Sequence, residues 1–233
     1  MIQAILFDFN GVIIDDELIH LRAYREVLGA ENVALSDKEY FSCLGMDDVA
    51  FVRAAYARAG RPLTDETMGA LIKREHELHR TYITNELPVP SGVVTFIKEA
   101  SRHYDLGIVS MAELNEINYV LELAGIAELF SVLVTAAPKM KHKPAPDCYE
   151  HALEQLNRKR RAERKLSLLA DECLVIEDSP PGVQSARVAG MRTVGVATTV
   201  PEVELRSAGA EIVTPFAADW NIDAVHHLFD QSE

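Results

Sequence analysis

Several polar side chains with catalytic potential stand directly after short apolar runs of the sequence. These residues are Asp8, Asn10, Ser110, Glu177 and Asp178. The runs before them, at 2–7, 106–109 and 174–176, predict buried strands. Open parallel sheets bind ligands beyond the carboxyl ends of their strands, so these side chains are expected to meet at one edge. Lys143 lies in the intervening segment KHKPAPD, whose prolines predict a rigid turn before a helix.

Three acids, one hydroxyl and one ammonium at one edge suit phosphoryl transfer. Carboxylates from separate strand ends favour Mg²⁺, which prefers oxygen ligands. Ser110, its neighbouring backbone N–H groups and Lys143 can hold a phosphate group against that cation. Positioning and charge neutralisation are most of what the reaction needs, and Asp8 would act as the nucleophile that forms an aspartyl-phosphate. Each residue alone has a structural explanation, such as a helix cap or a solvated lysine, but their coincidence argues for a site.

Predicted strands and helices alternate along most of the chain. Further apolar runs at 132–134, 193–196 and 211–213 predict strands, and helical patterns at 113–123 and 181–189 are closed by Gly125 and Gly190. This alternation, with nearly continuous apolar strands, predicts an α/β fold. We expect a parallel-sheet, Rossmann-like three-layer core.

The segment 16–87 breaks the alternation because it contains helical patterns only. Ser36 and Glu39 form a predicted capping box, and a long helix follows Thr64. Apolar residues of this long helix share one stripe: Met68, Leu71, Ile72, Leu78 and Tyr82. We therefore expect an α-helical cap at 16–87, inserted into a core formed by 1–15 and 88–233.

Composition and charge narrow the range of partners. The 233 residues are 48% hydrophobic and 25% charged, which excludes a disordered or disulfide-scaffold chain. Lys and Arg number 23 against 36 Asp and Glu, for a net charge of −13. Because this charge repels polyphosphate backbones, we expect no nucleic acid as a partner. The partner that we do expect, a small phosphorylated metabolite, follows from the residues at the sheet edge, where positive charge must be concentrated locally. Neither a glycine-rich P-loop nor a G-x-G-x-x-G motif for nucleotides is present.

The sequence also bears on location and assembly. Cys43, Cys148 and Cys173 lie far apart without a C-x-x-C pair, which indicates reduced thiols. The first residues, MIQAILFDFNGVII, have no basic region typical of a signal peptide, and no stretch reaches the roughly 18 apolar residues of a membrane span. We expect a cytoplasmic protein without membrane contact, either a monomer or a weak dimer.

The run NRKRRAERK at 157–165 is the one basic stretch of the chain. A nuclear-localisation or nucleic-acid patch is one interpretation. A solvated helix end on an otherwise acidic protein is the other, and the net charge favours it.

Four segments resemble those of the haloacid dehalogenase-like hydrolase superfamily, in the subgroup of β-phosphoglucomutase-like phosphatases. They are FDFNGVIIDDELIH, GIVS, KPAPDCY and VIEDSPPGVQSARVAGM. Together with the helical insert they cover essentially the whole chain, and the last segment carries the most specific pattern. The resemblance implies a phosphatase in which a mobile helical cap closes over the substrate.

The resemblance also implies roles for individual residues. Asp8 is the nucleophile, and Ser110 and Lys143 hold the phosphate. The implied Mg²⁺ ligands are Asp8, the main-chain carbonyl of Asn10 and Asp178, with Glu177 in support. His20 falls where mutase-like members carry a histidine that faces the active site, although a histidine on a helix surface or hinge is the alternative.

Asn10 departs from the family pattern, which has a second aspartate two residues after the nucleophile. That carboxyl protonates the leaving group and then activates water, which is worth roughly 10²–10⁴-fold. An amide cannot exchange a proton near pH 7. Three alternatives follow: an enzyme with a displaced acid (Asp15, Asp16 or His20), a slow phosphatase limited to good leaving groups, or a phosphate-ester-binding protein without turnover. An engineered substitution is a further alternative.

The stretch 43–48 corresponds to a cap loop that carries a lysine and an arginine in the mutase-like members. Here it reads CLGMDD, with no basic residue until Arg53. A phosphosugar mutase is therefore disfavoured against a Mg²⁺-dependent phosphatase that hydrolyses a small monophosphate, in particular a sugar phosphate.

Overall fold

The structure is a computed structural model that describes residues 1–43, 46–135, 140–215 and 222–229. The chain forms two compact units. Met1–Asp15 and Pro88–Glu233 form the first, which we call the sheet unit, and Asp16–Leu87 forms the second, which we call the helical unit.

The described residues contain six strands and ten α-helices. The strands are β1 (Ala4–Phe7), β2 (Asp105–Val109), β3 (Val132–Val134), β4 (Cys173–Glu177), β5 (Arg192–Val196) and β6 (Ile212–Thr214). The helices are α1 (Glu17–Ala30), α2 (Asp37–Phe41), α3 (Asp48–Arg58), α4 (Asp65–Asn85), α5 (Val93–Ala100), α6 (Leu114–Leu123), α7 (Asp147–Ala162), α8 (Pro180–Val188), α9 (Glu202–Ala208) and α10 (Ile222–Phe229).

The sheet unit contains a six-stranded parallel sheet in the order β3-β2-β1-β4-β5-β6. Every residue of β1 and β4 is buried, because helices flank the sheet and the central strands meet no solvent on either face. The predicted fold class, an α/β Rossmann-like core with a parallel sheet, is confirmed.

The helical unit consists of α1–α4 around an apolar core of its own. At the start of α2, the Ser36 hydroxyl accepts a hydrogen bond from the Glu39 N–H at 3.3 Å, and the Glu39 carboxylate accepts one from the Ser36 N–H at 2.8 Å. The capping box predicted from the sequence is therefore present. Of the predicted stripe on α4, Leu71 is buried, while Met68, Ile72 and Leu78 pack against this core with partial exposure.

Basic side chains of the run at 157–165 form hydrogen bonds and ion pairs within the sheet unit. Arg160 donates to the Asp105 carboxylate at 2.6 Å and to the Gln3 side chain at 2.9 Å. Arg158 pairs with Glu154 one turn earlier on α7. These contacts favour the interpretation of the run as a helix end on an acidic protein over that of a nucleic-acid patch.

The three cysteines, Cys43, Cys148 and Cys173, are buried free thiols, as predicted. Within the described residues, no helix combines the length and the apolar character that crossing a membrane requires.

Candidate active site

The candidate site lies at the carboxyl edge of the sheet. Strand β1 pairs in parallel with β2 on one side and β4 on the other, with Phe7 opposite Ile108 and Ile176. Residues that follow these strands therefore emerge side by side. Asp8, Ser110 and Asp178 directly follow β1, β2 and β4, as the strand-end argument predicts.

Lys143 links two of the three strand ends. Its ammonium donates to Asp8 Oδ1 at 2.8 Å, to Glu177 Oε1 at 2.5 Å and to the Val109 carbonyl at 3.1 Å. Three N–H donors thus meet three acceptors, and the side chain is only 8% exposed. Burial alone would lower the pKa of Lys143, but the carboxylates of Asp8 and Glu177 raise it well above its usual value. Lys143 is a fixed positive charge at this edge.

Glu177 is fully buried, and five donors surround its carboxylate. Lys143 and the Tyr149 hydroxyl, at 3.1 Å, donate to Oε1. The N–H groups of Asp178 and Ser179, together with the Ser179 hydroxyl, donate to Oε2 at 2.9–3.1 Å. A carboxylate held this way orients Lys143 and the start of α8, which fits the supporting role predicted for it.

Asp178 completes a group of three acids. Carboxylate oxygens of Asp8, Glu177 and Asp178 all lie within 4.8 Å of one another. Burial and the Glu177 charge, opposed by Lys143, together raise the pKa of Asp8 to about 6. Burial and the charges of Glu177 and Asp8 raise the pKa of Asp178 well above its usual range. Lys143 supplies one positive charge against three acids, so the group fits a divalent cation that accepts oxygen ligands.

The turn after Asp8 is tightly closed. Asn10 forms a backbone bridge with Ile14, and the Gly11 N–H donates to the Ile14 carbonyl at 2.6 Å. Gly11 has a φ of +72°, and a β-carbon there would overlap the Asp178 carboxylate. Only glycine fits this position, since it needs both a left-handed backbone and no side chain.

Ser110 is buried in the turn after β2. Its N–H donates to the Val134 carbonyl at 3.0 Å, and its hydroxyl oxygen accepts a hydrogen bond from the Ala112 N–H at 3.1 Å. The structure thus places Ser110 at the predicted strand end, and its role in holding a phosphate stays a prediction.

A sequence model described as haloacid dehalogenase-like hydrolase matches residues 5–196, which include the carboxylates and the lysine of this site. The chain belongs to the haloacid dehalogenase-like hydrolases. The resemblance seen in the sequence is confirmed, and the edge at which its acids meet is the one that the family motifs occupy.

Curated relatives of this family member include two phosphatases. Fructose-1-phosphate phosphatase YqaB of Escherichia coli is 26% identical over 194 residues, covering 83% of this chain and 95% of that protein. A phosphorylated carbohydrates phosphatase of Thermotoga maritima is 26% identical over 201 residues, covering 82% of this chain and 83% of that protein. The crystal structure of β-phosphoglucomutase from Clostridium difficile aligns with a TM-score of 0.79 at 19% identity, covering 99% and 98% of the two chains. These similarities support a hydrolase that acts on phosphate esters.

His20 belongs to the helical unit, where two buried carboxylates hold it. Its Nδ1 lies 2.9 Å from Glu75 Oε1 and its Nε2 lies 3.4 Å from Asp16 Oδ2. The ring stacks on His79 at 3.7 Å between centroids, and His79 Nε2 lies 3.0 Å from the same Asp16 oxygen. Since ionised carboxylates only accept hydrogen bonds, this arrangement fits a doubly protonated His20.

This network bears on Asp15, Asp16 and His20, the three residues that could replace the acid missing at position 10. Burial would raise the pKa of Asp16, but His20 and His79 hold it well below its usual range. Burial would lower the pKa of His20, but Asp16 and Glu75 raise it well above its usual value. Asp16 is therefore ionised near pH 7 and has no proton to give, and Asp15 is exposed to solvent.

We expect His20→Gln to flatten the pH dependence of stability above pH 6.5. The pKa of His20 is raised in the folded state, so protonated His20 stabilises the folded chain. This stabilisation is fully present below the pKa of the unfolded state and is lost as pH rises through the pKa of the folded state. In that window, wild-type stability should fall relative to His20→Gln by up to about 1.4 kcal/mol per pH unit. Urea unfolding of both proteins between pH 6 and 9 measures this difference, and parallel profiles would contradict the imidazolium assignment.

Sequence reasoning missed several residues that contact the site. Tyr149 lies in the KPAPDCY motif and Ser179 follows the acid pair, so both stood beside residues already singled out. Thr199 donates a hydrogen bond to Asp178, and no motif pointed to it. Leu44 and Gly45, in the loop compared with the mutase-like members, lie outside the described residues.

Proposed function

We propose that the chain is a Mg²⁺-dependent phosphatase that hydrolyses a small phosphorylated metabolite through an aspartyl-phosphate on Asp8. The observation that carries this proposal is the buried group formed by Asp8, Lys143, Glu177 and Asp178 at the edge of the sheet. The names of the relatives favour a sugar monophosphate as the substrate class.

Asp8 and Lys143 do the first part of the proposed chemistry. Lys143 holds Oδ1 of Asp8 and so fixes the orientation of the nucleophilic carboxylate. A carboxylate oxygen attacks phosphorus, the ester P–O bond breaks, and the leaving oxygen takes a proton from solvent, since the Asn10 amide has none to give. Water then attacks the same phosphorus, the bond to Asp8 breaks, and inorganic phosphate leaves with the Asp8 carboxylate restored.

Asp8, the main-chain carbonyl of Asn10 and Asp178 would hold the Mg²⁺ ion, with Glu177 in support. The bound ion would supply positive charge beside the transferring phosphoryl group. Ser110 and Lys143 would contact the phosphate oxygens. The helical unit would serve as the cap, with His20 as its substrate-side residue.

Asn10 favours a second candidate, a phosphate-ester-binding protein with little turnover. The family's acid is missing at this position, and Asp16 has no proton to give near pH 7. A phosphosugar mutase stays disfavoured because Arg53 is the first basic residue after the start of the loop at 43. We expect a cytoplasmic monomer or weak dimer.

Phosphate release separates the two candidates. The purified chain is incubated with Mg²⁺ and a panel of sugar monophosphates and aryl phosphates, with and without a chelator. A phosphatase gives chelator-sensitive release from at least one ester. Binding of an unreactive phosphate analogue with no release from any ester would instead establish the binding protein.

We expect Asp178→Ala to abolish Mg²⁺ binding and Glu177→Gln to weaken it. Asp178 offers a carboxylate directly to the cation, whereas both oxygens of Glu177 already accept hydrogen bonds from the protein. Residues that orient ligands typically cost about 10-fold or more in metal affinity when replaced. Calorimetric titration with Mg²⁺ measures both variants, and equal losses would show that the two adjacent acids are assigned wrongly.

A further inference from the structure

Two adjacent threonines after β5 contact two different turns of the candidate site. The Thr198 hydroxyl donates to the Gly11 carbonyl at 2.6 Å, in the turn after β1. The Thr199 hydroxyl donates to Asp178 Oδ2, in the turn after β4. Strand β5 pairs with β4, with Gly195 opposite Glu177, so the segment that leaves β5 starts next to the acid pair.

The three acids of the site differ in how their carboxylates are held. Five donors surround Glu177, and Lys143 holds Asp8. Among the described residues, the Thr199 hydroxyl is the single hydrogen-bond donor to the Asp178 carboxylate. The orientation of Asp178 thus depends on one side chain from another loop.

Gly11 shows which way this carboxylate faces. A β-carbon built on Gly11 would overlap Asp178 Oδ2 and would lie 2.7 Å from Thr199 Oγ1. Oδ2 is therefore enclosed between the Gly11 backbone and the Thr199 hydroxyl. No described residue donates a hydrogen bond to the other carboxylate oxygen, Oδ1.

We infer that Thr199 is a positioning residue for the divalent cation, because its hydroxyl fixes Oδ2 of Asp178 and so presents Oδ1 as the ligand. This inference rests on the Mg²⁺ site of the proposed function. A carboxylate without this donor can rotate about its side-chain bond, and metal binding must then restrict that rotation. Removing such a hydrogen-bond partner of a metal ligand typically costs 10–100-fold in metal affinity or activity.

The test compares three variants by calorimetric titration with Mg²⁺, in the absence of any phosphate ester. Thr199→Val keeps the shape of the side chain and removes the hydroxyl, while Thr199→Ser keeps the hydroxyl. Thr193→Val is the matched control, because Thr193 is a buried threonine of β5 whose hydroxyl contacts the Gly209 carbonyl, away from the acids. Circular dichroism establishes that each variant is folded, and Thr199→Ala replaces Thr199→Val if the latter is not.

We expect Thr199→Val to raise the dissociation constant for Mg²⁺ by roughly 10–100-fold. Thr199→Ser and Thr193→Val should stay close to the wild-type value. If the wild-type chain turns over a phosphate ester, Thr199→Val should also raise the Mg²⁺ concentration for half-maximal activity, while kcat at saturating Mg²⁺ changes less.

Three results would overturn the inference, and they can be distinguished. Equal Mg²⁺ affinities of the wild-type chain and Thr199→Val, or a loss that Thr199→Ser fails to restore, would overturn the positioning role alone. Absence of Mg²⁺ binding by the wild-type chain would overturn the metal site of the proposed function, and the inference with it.

Discussion

Asp8→Asn is expected to reduce phosphate release to the background of the assay. Removing a covalent nucleophile costs on the order of 10⁶-fold in kcat, and an amide oxygen is a much poorer nucleophile toward phosphorus than a carboxylate. The substitution keeps the shape of the side chain, so Lys143 can still donate to the amide oxygen and to Glu177. Phosphate release by both proteins at equal concentration, with Mg²⁺ present, measures the loss.

The same variant should be more stable than the wild-type chain when no metal is bound. Burial and the Glu177 charge raise the pKa of Asp8 from 3.8 to about 6, so ionising Asp8 disfavours the folded state. This penalty appears as pH rises above 3.8 and is complete above about 6. A neutral side chain removes it, and the thermal midpoint of metal-free Asp8→Asn should therefore exceed that of the wild-type chain at pH 7.

Loss of activity together with a gain in stability separates a missing nucleophile from a misfolded protein. Activity that survives unchanged in Asp8→Asn would come from a contaminant or from another residue, and the proposed mechanism would be wrong. A lower thermal midpoint would show instead that the pairing of Lys143 with Asp8 outweighs the cost of burying the Asp8 charge.

The sheet was predictable because a parallel strand covered on both faces has a simple sequence pattern. The residues of β1 and β4 are all buried, so β1 and the first four residues of β4 form continuous apolar runs, each followed by an acid. Glu177, which the sequence places after the run, is the last residue of β4. The strand-end rule then placed Asp8, Ser110 and Asp178 at one edge without any knowledge of distances. Boundaries differed by one or two residues, as for β1, which begins at Ala4 and not at Ile2.

The buried face of α4 was not predictable from apolar spacing. Its four buried residues are Leu71, Glu75, His79 and Ile83, at intervals of four. The two polar members lie inside the stripe because they pair with His20 and Asp16, which come from a segment more than 50 positions earlier. A search for apolar periodicity does not include Glu75 and His79, because they are polar. Their burial could be predicted only from their spacing, since they lie at intervals of four between Leu71 and Ile83.

The hydrogen-bond partners of Glu177 and Asp178 could not be predicted from the sequence either. Tyr149 donates to Glu177 and Thr199 donates to Asp178 across 28 and 21 positions of chain. These contacts depend on how α7 and the segment after β5 return to the sheet edge, and a tyrosine or threonine in such a segment has no distinctive spacing. A motif identifies the groups that react, whereas the hydroxyls that orient them are found from the fold.

Asn10→Asp is expected to raise kcat by about 10²–10⁴-fold on alkyl phosphates such as sugar monophosphates. An alkoxide is a poor leaving group, so its departure needs a proton that the Asn10 amide cannot supply. The change preserves the shape of the side chain, and the turn around it is fixed by the left-handed Gly11 and by the bond from its N–H to the Ile14 carbonyl. The new carboxyl should therefore occupy the place of the amide.

The gain should be smaller for the first chemical step on aryl phosphates, because a phenolate leaves without protonation. An improvement with those substrates would come from faster hydrolysis of the aspartyl-phosphate, since the same carboxyl activates the water. Rapid mixing with p-nitrophenyl phosphate separates the two steps. A burst of p-nitrophenol in the wild-type chain that disappears in Asn10→Asp would locate the defect in the second step.

This experiment requires a control for deamidation, because conversion of Asn10 to aspartate would produce the same residue as the variant. The reaction begins with attack of the Gly11 nitrogen on the Asn10 side chain, and the folded chain opposes it by holding the Gly11 N–H on the Ile14 carbonyl at 2.6 Å. Intact mass of freshly purified protein establishes that position 10 is still asparagine. If such protein already hydrolyses alkyl phosphates as fast as Asn10→Asp, another residue supplies the proton. Because Asp16 is held ionised, His20 would then be the first residue to replace.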